Sequence, residues 1–275
     1  MTPITIAVVR FPGVNCEEET RRALRSAGAG CDIVMWNAPA EKLGAYDGFV
    51  LPGGFSYQDR VRAGAIAAKD AVLSRLVEEA AAGKPVLGIC NGAQVLLEAG
   101  LVPGIEPGSV EMALATNAMP GSDGYHARWC HLRVASADSC ATETSTEGDV
   151  LPIPVAHAEG RFVSRISGLF EELSANGQIV MTYSRPDGGP PAGFPENPNG
   201  STDDVAAVSN RRGNVVAMMP HPERAARLGQ VPASLPGAWG ERRRQVSGDR
   251  SDDDGPGSDV FVGFVAYAER VRKGA

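Results

Sequence analysis

Apolar positions in the first hundred residues fall into short unbroken runs separated by longer polar or periodic stretches. Ile4 to Val9 is a β-branched run and predicts a buried strand; Asp32 to Trp36, Gly48 to Leu51 and Pro85 to Ile89 predict three more. Between them lie helical patterns. One runs from about Glu17 to Ala27, with Glu17, Glu18 and Glu19 where acids complement the helix dipole and Gly28 and Gly30 at its end. A second is expected from Ala63 to Ala82, stopped by Gly83, and a third from Asn91 to Ala99, stopped by Gly100. Strand and helix alternating in this way imply right-handed βαβ crossovers and a parallel sheet covered on both faces. Such sheets carry their sites at the carboxyl ends of strands. Attention therefore falls on Phe11 to Cys16, Pro52 to Asp59, and Cys90 onward.

The second half is less regular. Trp129 to Val134, Ile153 to Ala156, Gln178 to Tyr183, Val205 to Val208 and Asn214 to Met219 read as strands, joined by turns that suggest antiparallel additions to the sheet. Pro186 to Asn199 reads as an irregular loop. Residues 228–259 are rich in proline and glycine and are expected to form a flexible insertion, after which Val260 to Arg272 reads as a closing helix. The expectation is one α/β domain over residues 1–275: a mostly parallel central sheet flanked by helices, with added antiparallel strands.

Composition narrows the function classes. A 43% hydrophobic and 21% charged chain of 275 residues has enough apolar material for a core, which excludes a disordered chain or a small disulfide scaffold. A net charge of −7 gives no global attraction to nucleic acid or an anionic membrane, and the basic run Arg242 to Arg244 is offset by Asp252 to Asp254. No run approaches the roughly 18 apolar residues of a membrane span. Met1 to Arg10 goes straight into a strand-like run without a basic leader, apolar h-region and cleavage site in that order, so a secreted form is not expected. Five widely spaced cysteines, an odd number, suit reduced thiols, so a cytoplasmic location is expected.

The sharpest chemical signal is Gly88-Ile89-Cys90-Asn91-Gly92, at the expected junction of strand and helix. Small neighbours permit the tight turn that exposes a nucleophile, a helix N-terminus favours a thiolate, and the N–H of Asn91 can face a developing oxyanion. A cysteine merely buried between strand and helix is the competing reading. A nucleophile of this kind needs a base with an orienting carboxylate. Two of the four histidines are followed by glutamate two residues on, His157-Ala158-Glu159 and His221-Pro222-Glu223. The residues alone prefer His221 modestly, from its place after a strand between two prolines, and leave both pairs open. Pro52-Gly53-Gly54-Phe55 is a second glycine-rich turn, better suited to donating an oxyanion hydrogen bond than to holding phosphate, since neither phosphate-loop pattern is present. No metal is expected: Cys130, His131 and Cys140 lack the spacing of a zinc site.

With these residues in place, the chain resembles the class I (triad) glutamine amidotransferases, which have a flavodoxin-like fold. More narrowly it is similar to the glutaminase subunits of phosphoribosylformylglycinamidine synthase. The resemblance runs from about Ile4 to Glu223. Its segments are Arg10 to Cys16, Leu51 to Tyr57, Arg62 to Ala67, Gly88 to Gln94, His157 to Phe162, Asn197 to Ser201, and Met218 to Arg224. It implies Cys90 as nucleophile, His221 as acid/base, Glu223 as its partner, Gly54 and Asn91 as oxyanion donors, and Gln94 as a substrate contact. His157 and Glu159 would lie near the cleft but outside the triad. Glutamine would be hydrolysed through a cysteine thioester. The ammonia would pass to a synthetase subunit that uses ATP and magnesium to convert formylglycinamide ribonucleotide to the amidine, with a small subunit bridging the two. No cofactor is expected in this chain. The pattern departs at Gln58, where the family carries glycine, and in the added segment 228–259. The alternatives are a glutaminase subunit serving another acceptor, a cysteine hydrolase of α/β-hydrolase type, which would place its acid before the histidine, and a degenerate subunit that only binds.

Overall fold

The computed structural model describes residues 3–119, 124–246 and 252–274. Its strands are β1 (Thr5–Arg10), β2 (Gly30–Met35), β3 (Gly48–Leu51), β4 (Val86–Ile89), β5 (Ala113–Thr116), β6 (His126–Val134), β7 (Val150–His157), β8 (Glu159–Val163), β9 (Ile179–Ser184), β10 (Val205–Ser209) and β11 (Val215–Met218). The helices are α1 (Glu17–Ser26), α2 (Ala71–Ala81), α3 (Asn91–Glu98), α4 (Leu169–Ala175), α5 (Ala238–Gln245) and α6 (Ser258–Gly274). Nine strands form one sheet in the order β2-β1-β3-β4-β11-β10-β9-β6-β7, and β5 pairs with β8 apart from it. From β2 to β11 the pairing is parallel; from β11 to β7 it is antiparallel. This is a single α/β domain with a mixed central sheet. The parallel half explains the unbroken apolar runs: β3, β4 and β11 are buried at every residue because layers cover both faces.

Register brings the expected chemistry to one edge. Leu51 lies beside Gly88, and Ile89 beside Met218. The residues that leave the ends of β3, β4 and β11 are therefore the Pro52 turn, Cys90, and the segment leading to His221. The strand order reverses at β1, which pairs in parallel with β2 on one side and β3 on the other, so its carboxyl end opens a crevice in the same place.

Several elements differ from the sequence pattern. The helix expected from Ala63 to Ala82 is a 3-10 turn (Ala67–Lys69) followed by α2. Asp70 separates them in an extended conformation, and its carboxylate accepts a hydrogen bond from the Tyr57 hydroxyl at 2.6 Å. Gly64, at φ +79, lies so close to α3 that a Cβ there would sit 2.6 Å from the Gln94 carbonyl carbon. Helical periodicity thus gives way to packing against α3. Strands β5 and β8 are partly exposed along their length and so lack the unbroken apolar run that marks the buried strands, and helix α4 has only seven residues.

Within 228–259, residues 247–251 lie outside the described residues. The rest is packed. Leu228, Val231 and Leu235 form an apolar cluster with Trp129, Trp239 and Val246. Arg227 and Asp254 form a β-bridge, and Leu228 N–H donates to the Asp253 carbonyl at 2.7 Å. A Cβ on Gly257 would overlap the Pro222 carbonyl oxygen, so this glycine serves close backbone approach. Helix α6 buries Val260, Phe261, Phe264 and Ala268 and, with α1, flanks the turn that holds His221 and Glu223. Among the described residues no helix is long and apolar enough to cross a membrane.

Candidate active site

Cys90 occupies the corner between β4 and α3 with φ 51 and ψ −105. A non-glycine residue held there stores roughly 1–3 kcal/mol of strain. The surroundings fix it: its N–H donates to the Met218 carbonyl at 2.8 Å and its carbonyl accepts from Gln94 N–H at 3.1 Å. Glycine is required on both sides. A Cβ on Gly92 would overlap the Leu51 carbonyl oxygen, and one on Gly88 would sit 2.6 Å from both Gly92 oxygen and Leu96 Cδ1. The sulfur faces a cavity of about 120 Å³ whose lining includes Gly54, Gln94, His157, Glu159 and His221.

Of the two histidine–glutamate pairs, only one is a pair in space. His221 follows β11 and opens the 3-10 turn Pro222–Arg224, in which Glu223 folds back so that Oε1 meets His221 Nδ1 at 2.5 Å. Both side chains are buried. Burial opposes the charged imidazole, but the Glu223 carboxylate first, then the Cys90 and Cys16 sulfurs, outweigh it and hold the His221 pKa well above its ordinary value. His221 Nε2 has no protein partner among the described residues and remains free to serve the cavity. His157 instead directs Nδ1 to Asn117 Oδ1 at 3.1 Å, and burial, helped by the charges of His221 and His126, pushes its pKa down to about 3.

Gly54 has φ +153, and a Cβ there would sit 2.5 Å from Val14 Cα, so only glycine fits. Its neighbours are zipped to the turn after β1: Phe55 N–H donates to the Gly13 carbonyl at 2.9 Å, and Cys16 N–H to the Gly53 carbonyl at 3.2 Å. The Gly54 N–H has no hydrogen-bond partner among the described residues. Asn91 ties this loop to α3, its Oδ1 accepting from Ser56 N–H at 2.9 Å and its Nδ2 donating to Gln94 Oε1 at 2.9 Å. Gln94 Nε2 donates to the Glu159 carbonyl at 2.9 Å, so each polar atom of its carboxamide has a partner within the protein. Gln58 sits at φ +61, where the glycine of the family pattern would be unstrained.

Three further residues of the site, Cys16, Asp59 and Arg224, stand in the sequence only as members of longer segments, with no spacing that marks a role for them. Cys16, in the turn before α1, donates to Asn15 Oδ1 and accepts from Arg224, each at 3.2 Å. Its sulfur and the donor atoms of His221 and Glu223 lie within 4.8 Å of one another. His221 and Glu223 are committed to each other and the Arg224 guanidinium lies against the thiol, an arrangement suited to proton transfer more than to a divalent cation. Asp59 also lines the cavity, and burial, with the nearby Glu159 charge, raises its pKa to about 6. A carboxyl whose folded pKa is raised costs stability once ionised. That cost is absent below about pH 4, grows as pH rises towards about 6, and is complete above it. Asp59→Asn is therefore expected to raise the melting temperature at about pH 8 and to leave it unchanged at about pH 3. An equal gain at both would contradict the assignment.

Residues 4–259 match the family model described as the CobB/CobQ-like glutamine amidotransferase domain. Phosphoribosylformylglycinamidine synthase subunit PurQ of Methanothrix thermoacetophila is 44% identical over 274 residues, covering 97% of this chain and 99% of that protein. The subunit of the same name from Pyrococcus horikoshii is 41% identical over 81% of this chain and 90% of its own length. Among solved structures, a chain of PurLQS from Thermotoga maritima superimposes with a TM-score of 0.71 at 28% identity, covering 97% of this chain and 99% of that one.

Proposed function

The chain belongs to the CobB/CobQ-like glutamine amidotransferase family, and from that membership and the Cys90–His221–Glu223 arrangement we propose that it is the glutaminase subunit of a phosphoribosylformylglycinamidine synthase. The carrying observation is the likeness, over nearly the whole of both chains, to a PurQ subunit, together with one cavity that contains both the cysteine and the paired histidine. This chain also differs from the α/β-hydrolases in chain order, since Glu223 follows His221.

In this reading glutamine lies with its side-chain amide over Cys90. The thiolate attacks the amide carbon, and the N–H groups of Gly54 and Asn91 hold the oxyanion; one such donor is worth about 10²–10³ in rate. The unpaired Gly54 N–H and the position of Asn91 at the start of α3, where N–H groups lack intrahelical acceptors, support that role. The imidazolium of His221, stabilised by Glu223, protonates the departing nitrogen. The same imidazole then takes a proton from water as it hydrolyses the glutamyl thioester to glutamate. Gln94 shapes the wall that the substrate meets. ATP and magnesium belong to the synthetase subunit, which consumes the ammonia, and a small third subunit bridges the two. Five free, buried cysteines suit a reducing compartment and support a cytoplasmic location.

The test is ammonia release from glutamine by this chain alone and with its synthetase. Release that rises on adding the synthetase and its nucleotide substrate supports the reading. A glutamine-dependent rate of zero in the complete assembly, with free ammonia still accepted, would refute it.

A further inference from the structure

His157 is a buried imidazole in the wall of the catalytic cavity to which the reaction as described assigns no work. Its hydrogen bonds nevertheless define its protonation. Asn117 Nδ2 donates to two carbonyls, those of Gly124 at 3.0 Å and His157 at 2.8 Å. Asn117 Oδ1 accepts from the Gly160 N–H at 3.1 Å. The amide orientation is therefore fixed by groups that can act in only one way, and the oxygen faces His157. It follows that His157 Nδ1, 3.1 Å from that oxygen, carries the proton. In a neutral ring Nε2 is then a bare lone pair, and the depressed pKa keeps the ring neutral. The Gly160 backbone lies close against the face of the ring, since a Cβ there would sit 2.1 Å from Cε1 and 2.3 Å from Nδ1, and this contact together with the Asn117 hydrogen bond holds the ring in place. Nε2 is buried and has no protein partner.

An acceptor left unpaired in the wall of a substrate cavity discriminates between ligands by what they can donate once they press against that wall. The glutamine side chain ends in an NH₂ group with two donors. The glutamate side chain, which is also the product, ends in a carboxylate that only accepts. We propose that His157 is a specificity-determining residue of this site: its Nε2 accepts a hydrogen bond from the side-chain amide of glutamine and opposes the carboxylate of glutamate. The inference rests on the glutaminase reading and adds to it a reason why the amide is admitted and the spent acid is not retained. Asn117 is the positioning residue that fixes the tautomer. Neither residue forms or breaks a bond.

The test uses the complete assembly with its synthetase and compares wild type, His157→Leu and His157→Gln. The readouts are KM and kcat for glutamine and the inhibition constant of glutamate. His157→Leu should lower the ratio of the glutamate inhibition constant to the glutamine KM by about tenfold or more, and His157→Gln, which restores an oxygen acceptor, should recover much of it. A parallel loss of kcat with that ratio unchanged would show a merely structural role and overturn the proposal. A measurement on the native side chain covers the case in which His157→Leu fails to fold. The ¹⁵N resonance of His157 Nε2 in the Cys90→Ala chain should be that of an unprotonated nitrogen, and it should move on adding glutamine but not glutamate. A protonated Nε2, or an equal response to both, would overturn the proposal. If the wild-type assembly releases no ammonia from glutamine, the glutaminase reading fails and this inference falls with it, whereas a working wild type with an unchanged selectivity ratio sinks this inference alone.

Discussion

Cys90→Ala is expected to abolish glutamine-dependent synthesis by the complete assembly while leaving synthesis from free ammonia at its wild-type rate. The sulfur is the only group at the strained corner that can accept the glutamyl carbon. Removing a covalent nucleophile typically costs about 10⁴–10⁶ in rate. The fold should tolerate the change. Cys90 is held through its backbone by Met218 and Gln94, and among the described residues the hydrogen bond its sulfur makes is a long one, 3.7 Å to the Ala156 carbonyl oxygen. Rates under the two nitrogen sources, measured on the same preparation, provide the check. Equal loss with glutamine and with ammonia would mean that Cys90 supports the assembly and not the hydrolysis of glutamine.

His221→Ala is expected to act on the same step with comparable severity, about 10³-fold or more, because both the acid for the departing nitrogen and the base for water are lost. This variant has a second cost. Glu223 is buried, and one of its oxygens already lacks a partner among the described residues. Removing the imidazole leaves the buried carboxylate with the half-exposed Arg224 guanidinium, its Nε 3.8 Å from Oε1, as its remaining charged partner; a buried carboxylate wholly stripped of its partner costs about 3–5 kcal/mol, which sets the upper bound here. The melting temperature should therefore fall together with glutaminase activity, whereas Cys90→Ala should lower activity alone. His157→Ala should be milder in kcat than His221→Ala. The reverse ranking would mean that the acid/base is the other histidine.

The parallel half of the sheet was legible because burial on both faces writes itself as unbroken apolar runs, as in Ile4 to Val9 and Gly48 to Leu51. The corner at Cys90 was legible for a related reason: Gly88 and Gly92 are needed where backbone passes against Leu51 and Leu96. What was hidden depends on partners distant in sequence. Ala63 to Ala82 has helical periodicity, yet Gly64 packs on α3 and Asp70 receives Tyr57, and neither contact is visible locally. Glycines 255 and 257 look like flexible punctuation but serve close backbone approach to the turn of His221 and Glu223. The two His-x-Glu pairs are equivalent as strings. Only in space does His221 meet its glutamate, while His157 turns to Asn117, forty positions away in the chain. Cys16 and Arg224, 208 positions apart, likewise meet only in the fold.

The covalent role of Cys90 is tested most directly by trapping the enzyme during turnover. The assembly is supplied with labelled glutamine, quenched in acid, digested, and examined by mass spectrometry for a glutamyl group on the peptide bearing Cys90. A thioester on that cysteine, labile to hydroxylamine and absent from Cys90→Ala, is the expected product. Sustained release of ammonia by Cys90→Ala, or a glutamyl group carried on another residue, would contradict it.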